Sequence, residues 1–131
     1  MTIVVTAAVI ERDGRFLVTR RPHGVHLEGY WEFPGGKVDP GETLEASLVR
    51  ELREELAVDS RVGVEIFFVT HRYPERSVEL HFFQCELAGE PTPQLDQEMR
   101  WVTRAEMAAL PFPAADAELI RTIVSGSATS R

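Results

Sequence analysis

The chain is poor in three features that would each assign it to a class of protein: cysteine, long apolar runs and positive charge. It has one cysteine, Cys85, in 131 residues, so no internal disulfide can form and a reducing compartment is expected. Because no run of about 18 apolar residues and no N-terminal signal pattern occurs, we expect a cytoplasmic protein without a membrane partner. The net charge of −7 argues against a nucleic-acid polymer as partner.

The composition is that of a globular protein. Hydrophobic residues make up 44% and charged residues 27% of the chain, and the length suffices for one compact core. We therefore expect a single domain over residues 1–131, with a flexible tail at 125–131. An acidic protein can still bind a nucleotide where metal ions bridge the two sets of negative charge. A small-molecule nucleotide is thus a compatible partner, for a monomer or a homodimer.

Strand-like and helix-like patterns alternate along the chain. A Pro-Gly-Gly turn at 34–36 is expected after a short aromatic strand at 30–33, and helical spacing predicts helices at 44–56, 104–109 and 113–124. These patterns alone indicate an α/β or α+β fold. The remaining predicted strands cover residues 2–10, 15–20, 61–72, 77–87 and 99–103.

The first predicted helix carries a cluster of acidic residues at fixed spacing. Glu51, Glu54 and Glu55 fall within about a quarter of the helix circumference, and Glu42 precedes them. Like charges placed this way repel each other. Converging carboxylates suit a hard divalent cation, so the cluster predicts a site for Mg²⁺, with Mn²⁺ as a possible substitute.

The same helix has an apolar stripe that the carboxylates border. Its leucines recur every fourth residue, from Leu44 to Leu56, and Thr43 is a candidate N-cap. The acidic residues are therefore expected at the rim of the core, where a cleft can form.

Residues 36–58 resemble the Nudix box: G, five residues, E, seven residues, then R-E-U-x-E-E-x-G-U, in which U is aliphatic. Ala57 replaces the last glycine, which would end the helix in a left-handed turn, and alanine accepts that conformation at modest cost. The matching residues are Gly36, Glu42, Arg50, Glu51, Leu52, Glu54, Glu55 and Val58.

Three further segments resemble the MutT branch of that family: residues 19–21, 31–37 and 112–116. The resemblance implies an α/β/α sandwich with a mixed β-sheet between helices. It also implies metal-dependent hydrolysis of a nucleoside triphosphate to monophosphate and pyrophosphate, as in nucleotide-pool sanitation and DNA repair.

The resemblance also implies roles for single residues. Glu51, Glu54 and Glu55 would bind the metal with the backbone carbonyl of Gly35, against the alternative of a solvated acidic face. Arg50 would orient a glutamate and act with Glu51 and Glu54 in catalysis, or would simply pair with Glu54 on the surface.

Four residues are candidates for substrate binding. Arg21 resembles a phosphate contact, a task that suits the planar guanidinium, or it is a solvated arginine at a strand end. Phe33 walls the base pocket or belongs to the core. Lys37 neutralises phosphate or lies on the surface, and Asp116 contacts the base or stabilises a helix N-terminus.

The general base is expected in the loop before the last strand, where Asp96 and Glu98 are the acids. We favour Glu98, and a box glutamate is the alternative. A leucine, Leu95, stands where the family often has an acid.

Asp116 bears on the nucleobase, because the MutT branch has an asparagine there. An ionised aspartate only accepts hydrogen bonds, which suits the exocyclic amino group of cytosine; a protonated one can face an oxidised guanine. The expected substrates are 8-oxo-dGTP or a cytosine nucleotide such as CTP, dCTP or modified dCTP.

Two other activities within the family stay open, together with one non-enzymatic role. Pro74 and Tyr73 lie where ADP-ribose and dinucleoside polyphosphate hydrolases carry a proline and a tyrosine, but their segment is typical of a hairpin turn. A non-catalytic nucleotide sensor is disfavoured, since all the box glutamates are present.

Overall fold

A computed structural model describes residues 1–126, which form eight strands and three α-helices. The helices are α1 (Leu44–Leu56), α2 (Arg104–Ala109) and α3 (Ala117–Ser125), the last preceded by a 3-10 turn at Ala114–Asp116. The strands are β1 (Thr2–Val9), β2 (Glu11–Arg12), β3 (Arg15–Arg20), β4 (Trp31–Glu32), β5 (Gly35–Lys37), β6 (Ser60–Arg72), β7 (Ser77–Leu87) and β8 (Met99–Val102).

The strands form two sheets, and the helices pack against these sheets. The larger sheet has the order β5-β1-β7-β6 and is mixed, because β1 and β7 run parallel while the outer pairs are antiparallel. In the smaller antiparallel sheet, β3 pairs with β2, β4 and β8. Leu48 and Leu52 of α1 pack with one core cluster, and Met107 of α2 and Leu119 of α3 pack with the other. The predicted α/β/α sandwich is confirmed.

Helix α1 begins and ends where the sequence predicts. Thr43 caps it, since its Oγ1 accepts a hydrogen bond from the Ala46 amide at 3.1 Å. Ala57 adopts the left-handed conformation, with φ 53° and ψ 42°, and its amide donates to the Arg53 carbonyl. Replacement of the box glycine therefore preserves the helix exit. No helix in residues 1–126 is long and apolar enough to cross a membrane.

The predicted turn at residues 34–36 is wrong, because Gly35–Lys37 forms strand β5 at the edge of the larger sheet. The pairing needs glycine: a Cβ at Gly35 would overlap the Thr6 carbonyl oxygen and lie 2.8 Å from the Ala7 Cα. The predicted tail differs as well, since Ser125 still belongs to α3, and residues 127–131 lie outside the described part of the chain.

Candidate active site

A cavity of about 520 Å³ opens between β1, β5, β7, the end of α1 and the 3-10 turn before α3. Its lining includes the apolar residues Val5, Leu80 and Phe82, which we call the floor, and the acidic residues Glu51, Glu55 and Asp116. A volume of this size suits a nucleotide-sized ligand. The predicted site residues that line it are Arg21, Phe33, Gly35, Lys37, Glu51, Glu55 and Asp116.

Arg50 is the centre of the ionic network beside this cavity. Its Nε and Nη2 donate to the two carboxylate oxygens of Glu42 at 2.7 and 2.9 Å. Its Nη1 donates to Glu51 at 3.1 Å and to Glu54 at 3.2 Å. Arg50 therefore holds three acidic residues of the box at once, in agreement with the orienting role that the resemblance implies and against a lone surface pair.

The charges of this network shift the ionisation of its members. The hydrogen bond from Arg50, with a second from the Asp39 amide, lowers the pKa of Glu42 to about 2. Conversely, the carboxylates raise the pKa of Arg50 above its usual value, mainly through the bond to Glu42. Glu42 does not line the cavity. Its contacts therefore serve to hold Arg50 in place.

Glycine is required where β5 passes the glutamates. A Cβ at Gly36 would overlap the Glu51 carboxylate, with Oε1 at 2.5 Å and Oε2 at 2.6 Å. The missing side chain of Gly36 leaves a cradle that the Glu51 carboxylate fills. Only 14% of the Glu51 side chain is exposed. Strand β5 thus passes directly beside the carboxylates of α1, and the Gly35 backbone also forms a hydrogen bond with Glu55.

The Glu55 carboxyl stands beside two other acids, Glu51 and Glu32. Burial raises its pKa to about 9, and the hydrogen bond and charge of Glu51 and the charge of Glu32 add to this effect, while the backbone of Gly35 opposes it. Within residues 1–126 no three His, Cys, Asp or Glu side chains converge tightly enough to enclose an ion in this conformation. The donor set fits a hard cation, which would bind the ionised carboxylates while Arg50 keeps its contacts with them.

Asp116 also lines the cavity, and it is buried with only 5% of its surface exposed. Burial raises the pKa of its carboxyl to about 7, and the charge of Glu32 adds to the shift. Although it is the N-cap residue of α3, its side chain makes no capping hydrogen bond. The side chain lies at the start of α3 and also lines the cavity, so base contact and stabilisation of the helix N-terminus both stay predictions.

Phe33 belongs to the core and also lines the cavity, while its contact with a base stays a prediction. It is 4% exposed, stacks on Phe112 at 5.7 Å between ring centroids and meets the edge of Phe82 at 6.0 Å. It also lines the cavity, so its ring is core and wall together.

The two basic candidates differ in how they are held. Arg21 donates to Glu32 at 2.9 Å and to the backbone carbonyl of His26, so its guanidinium is fixed in the cavity wall. The side chain of Lys37 is exposed at the cavity rim, while its carbonyl accepts hydrogen bonds from Arg50 and Ser47. Their contacts with phosphate stay predictions.

The structure does not bring Glu98 to the cavity. Its carboxylate pairs with Arg20 at 3.3 Å and with Arg100 at 3.1 Å, and it lines a separate depression with Asp96. A carboxylate held by two arginines outside the cleft is poorly placed to remove a proton from a water. The position of Glu98 therefore gives no support to its predicted role as the base.

Among the cavity residues that were not predicted as metal or substrate contacts are Glu32, Tyr73 and Arg76. Glu32 lies between two buried aromatics, Trp31 and Phe33, and a charge in such a strand is the one local signal that could have marked it. Tyr73 and Arg76 belong to the turn between β6 and β7 and reach the cavity because β7 pairs with β1. No local pattern reports that pairing.

The glutamate cluster, the glycine cradle and the fold agree with one known family. The model of the NUDIX domain family matches residues 5–122. The chain belongs to the NUDIX domain family. The predicted Nudix hydrolase, of the MutT-like type, is thereby confirmed at the level of family.

Curated relatives and a solved structure agree with this assignment. The chain is 36% identical over 124 residues to the CTP pyrophosphohydrolase of Escherichia coli, a match covering 94% of this chain and 92% of that protein. It is 36% identical over 126 residues to the 8-oxo-dGTP diphosphatase of Haemophilus influenzae, covering 94% and 92%. The solution structure of the E. coli ORF135 protein superposes with a TM-score of 0.86 at 34% identity, covering 98% of this chain and 94% of that one.

Proposed function

We propose that this Nudix protein hydrolyses a nucleoside triphosphate to the monophosphate and pyrophosphate, with Mg²⁺ as cofactor and Mn²⁺ as a substitute. The observation that carries the proposal is one cavity that is lined by two box glutamates, Glu51 and Glu55, and also by a buried acid, Asp116. The names of the relatives, a CTP pyrophosphohydrolase and an 8-oxo-dGTP diphosphatase, support the same chemistry.

Glu51, Glu54 and Glu55, with the Gly35 carbonyl, would hold the cation against the phosphates. When bound, Mg²⁺ supplies Lewis acidity and lowers the pKa of a coordinated water. Arg50 keeps the Glu51 and Glu54 carboxylates oriented through its bonds at 3.1 and 3.2 Å. Because phosphoryl chemistry depends mainly on positioning and charge stabilisation, this orientation is the main contribution of the chain.

The phosphates are strongly negative, and the cavity offers cations at the rim that can offset part of this charge. Lys37 and Arg76 are both exposed and line the cavity, and neither makes a salt bridge within residues 1–126. Arg21 contributes from the wall, where it also holds Glu32 in place. The triphosphate is therefore expected along the rim between Lys37 and Glu51.

The nucleobase is expected over the apolar floor, where Asp116 reads its edge. With a pKa of about 7, its carboxyl exists in both forms near neutrality. The ionised form accepts from the amino group of cytosine, and the protonated form can donate to the O6 of an oxidised guanine. The substrates are thus a cytosine nucleotide (CTP, dCTP or modified dCTP) or 8-oxo-dGTP, as expected for a cytoplasmic enzyme of nucleotide-pool sanitation.

Pyrophosphate release with Mg²⁺ at slightly alkaline pH tests the proposal, together with phosphate release after phosphatase coupling, which detects products other than pyrophosphate. The panel consists of 8-oxo-dGTP, dGTP, CTP, dCTP, 5-methyl-dCTP, ADP-ribose and a diadenosine polyphosphate. A kcat/KM preference for 8-oxo-dGTP or a cytosine nucleotide supports it. Activity confined to ADP-ribose or the dinucleotide, or no turnover at all, overturns it in favour of another Nudix activity or of a sensor.

The Asp116→Asn variant tests how the base is read. An amide presents both a donor and an acceptor at any pH, so relative kcat/KM should move from cytosine nucleotides towards 8-oxo-dGTP. Unchanged ratios in the variant would show that Asp116 does not read the base.

A further inference from the structure

The loop between β7 and β8 is fastened to the C-terminal end of α1 by three hydrogen bonds. Gln97 Nε2 donates to the Glu55 carbonyl at 3.1 Å, and the Gln94 amide donates to the same oxygen at 2.9 Å. The Thr92 amide donates to the Leu56 carbonyl at 2.8 Å. The last carbonyls of a helix have no partner within the helix, so this loop supplies them.

Gln97 is the one side chain among these contacts, and it uses both ends of its amide. It is 8% exposed, and its Oε1 accepts from the Leu95 amide at 2.8 Å while Nε2 donates to Glu55. This closes a turn around Asp96, which has a φ of 57°. A carboxylate could not make the donating contact, and an apolar side chain could make neither.

The bond to Glu55 does more than satisfy a carbonyl. The Gln94 amide already donates to that oxygen, so a second donor is not needed to avoid an unpaired buried group. Two donors from different directions instead restrict how the final turn of α1 can tilt. That turn carries Glu54 and Glu55, and the Glu55 carboxylate lines the cavity.

We propose that Gln97 is a positioning residue for the metal site, which holds the last turn of α1 so that Glu54 and Glu55 face the cation. This inference rests on the proposed function, because it takes these glutamates to bind the ion. Partners that orient ligands in this indirect way typically contribute about 10- to 100-fold to metal affinity.

The test measures Mn²⁺ binding to the full chain by the EPR signal of the free ion, beside thermal unfolding, for Gln97→Ala, Gln97→Glu and a matched control. Gln97→Glu keeps the size but places a carboxylate against the Glu55 carbonyl. The control is Gln94→Ala, in the same loop, whose exposed side chain bonds only the Thr92 carbonyl within the described residues, at 2.8 Å. The main-chain bond of Gln94 to Glu55 remains in that variant.

Both Gln97 variants should bind Mn²⁺ at least about 10-fold more weakly than the parent, and Gln94→Ala should bind it as the parent does. Parental Mn²⁺ affinity in the Gln97 variants overturns the inference even where the melting temperature falls, since the residue would then support the fold alone. If Gln97→Ala is unfolded, the isosteric Gln97→Glu decides in the same way.

Nucleotide hydrolysis by the same samples separates this inference from the proposed function. A parent that binds Mn²⁺ but releases no pyrophosphate from any triphosphate would sink the proposed function and leave the role of Gln97 decided by the binding data. A parent that binds no Mn²⁺ overturns both.

Discussion

Arg50 binds Glu42 through a two-pronged contact, Nε to Oε2 at 2.7 Å and Nη2 to Oε1 at 2.9 Å. The pair spans the loop before α1 and the middle of that helix, and the remaining nitrogen of Arg50 is free to reach Glu51 and Glu54. One guanidinium thus ties a loop acid to two acids of the candidate metal site. The consequence is that the metal site depends on the shape of Arg50 as well as on its charge.

Arg50→Lys tests that dependence. An ammonium keeps the charge but lacks the planar fork, so it cannot hold Glu42 and the metal-site glutamates together. Mg²⁺ affinity in the hydrolysis assay should fall by about 10- to 100-fold. The control is Arg53→Lys on the same helix, whose exposed side chain pairs with Asp59 at 2.7 Å. Equal Mg²⁺ dependence in the two variants would contradict the role given to Arg50.

Gly36→Ala tests the glycine cradle. The new Cβ would lie within 2.6 Å of Glu51 Oε2, so the Glu51 carboxylate must move away from its position beside β5. We expect loss of Mn²⁺ affinity by at least about 10-fold, measured by EPR, because the metal ligands are displaced. Gly89→Ala is the control, since the nearest atom to its Cβ is Val58 Cγ2 at 4.0 Å. Full Mn²⁺ binding by Gly36→Ala would show that Glu51 is not a ligand.

The pKa of Asp116 predicts how stability changes with pH. The carboxyl titrates at about 7 in the folded chain against 3.8 as its ordinary value, so the folded state binds the extra proton between these two values. The contribution of Asp116 to stability is therefore full below about pH 4 and is lost as pH rises to about 7.

Asp116→Asn removes this titration. The free energy of unfolding of the variant, relative to the parent, should rise by about 2–4 kcal/mol between pH 4 and pH 8 in urea titrations. Asp13→Asn, in the exposed turn before β3, controls for the loss of one carboxylate. A constant difference between Asp116→Asn and the parent across this range would contradict the raised pKa.

Thr6 carries a buried hydroxyl whose oxygen has no hydrogen-bond partner among residues 1–126, and the residue is fully buried. Thr6→Val replaces the hydroxyl by a methyl group of similar size, so the free energy of unfolding should rise by about 1 kcal/mol. Thr6→Ser keeps the hydroxyl but loses the methyl group, and it should be less stable than the parent. A less stable valine variant would show that the hydroxyl is paired in solution.

Local patterns predicted most of the fold and the helix that carries the candidate metal ligands. Helix α1 and its glutamates could be predicted because the period of the helix and the cap at Thr43 are encoded within one short segment. Strand β5 could not, since two adjacent glycines carry little strand preference and pair only because β1 lies beside them.

The part of the candidate site that we assign to the nucleobase depends on contacts between distant segments. Asp116, Glu32 and Arg76 meet at one cavity only through the packing of α3 against the sheets and the parallel pairing of β1 with β7. The burial that raises the pKa of Asp116 is likewise a property of the assembled fold. Such features follow from tertiary structure and have no signature in sequence spacing.

The most direct test of the account is the Mg²⁺-dependent kcat/KM for the best triphosphate, compared between the parent, Glu54→Gln and Glu45→Gln. Both glutamates are exposed on α1, but only Glu54 belongs to the network of Arg50. The account predicts a loss of at least about 100-fold in Glu54→Gln with the melting temperature preserved, and parental turnover in Glu45→Gln. Parental turnover in Glu54→Gln, or turnover that persists when Mg²⁺ is removed with a chelator, would contradict it.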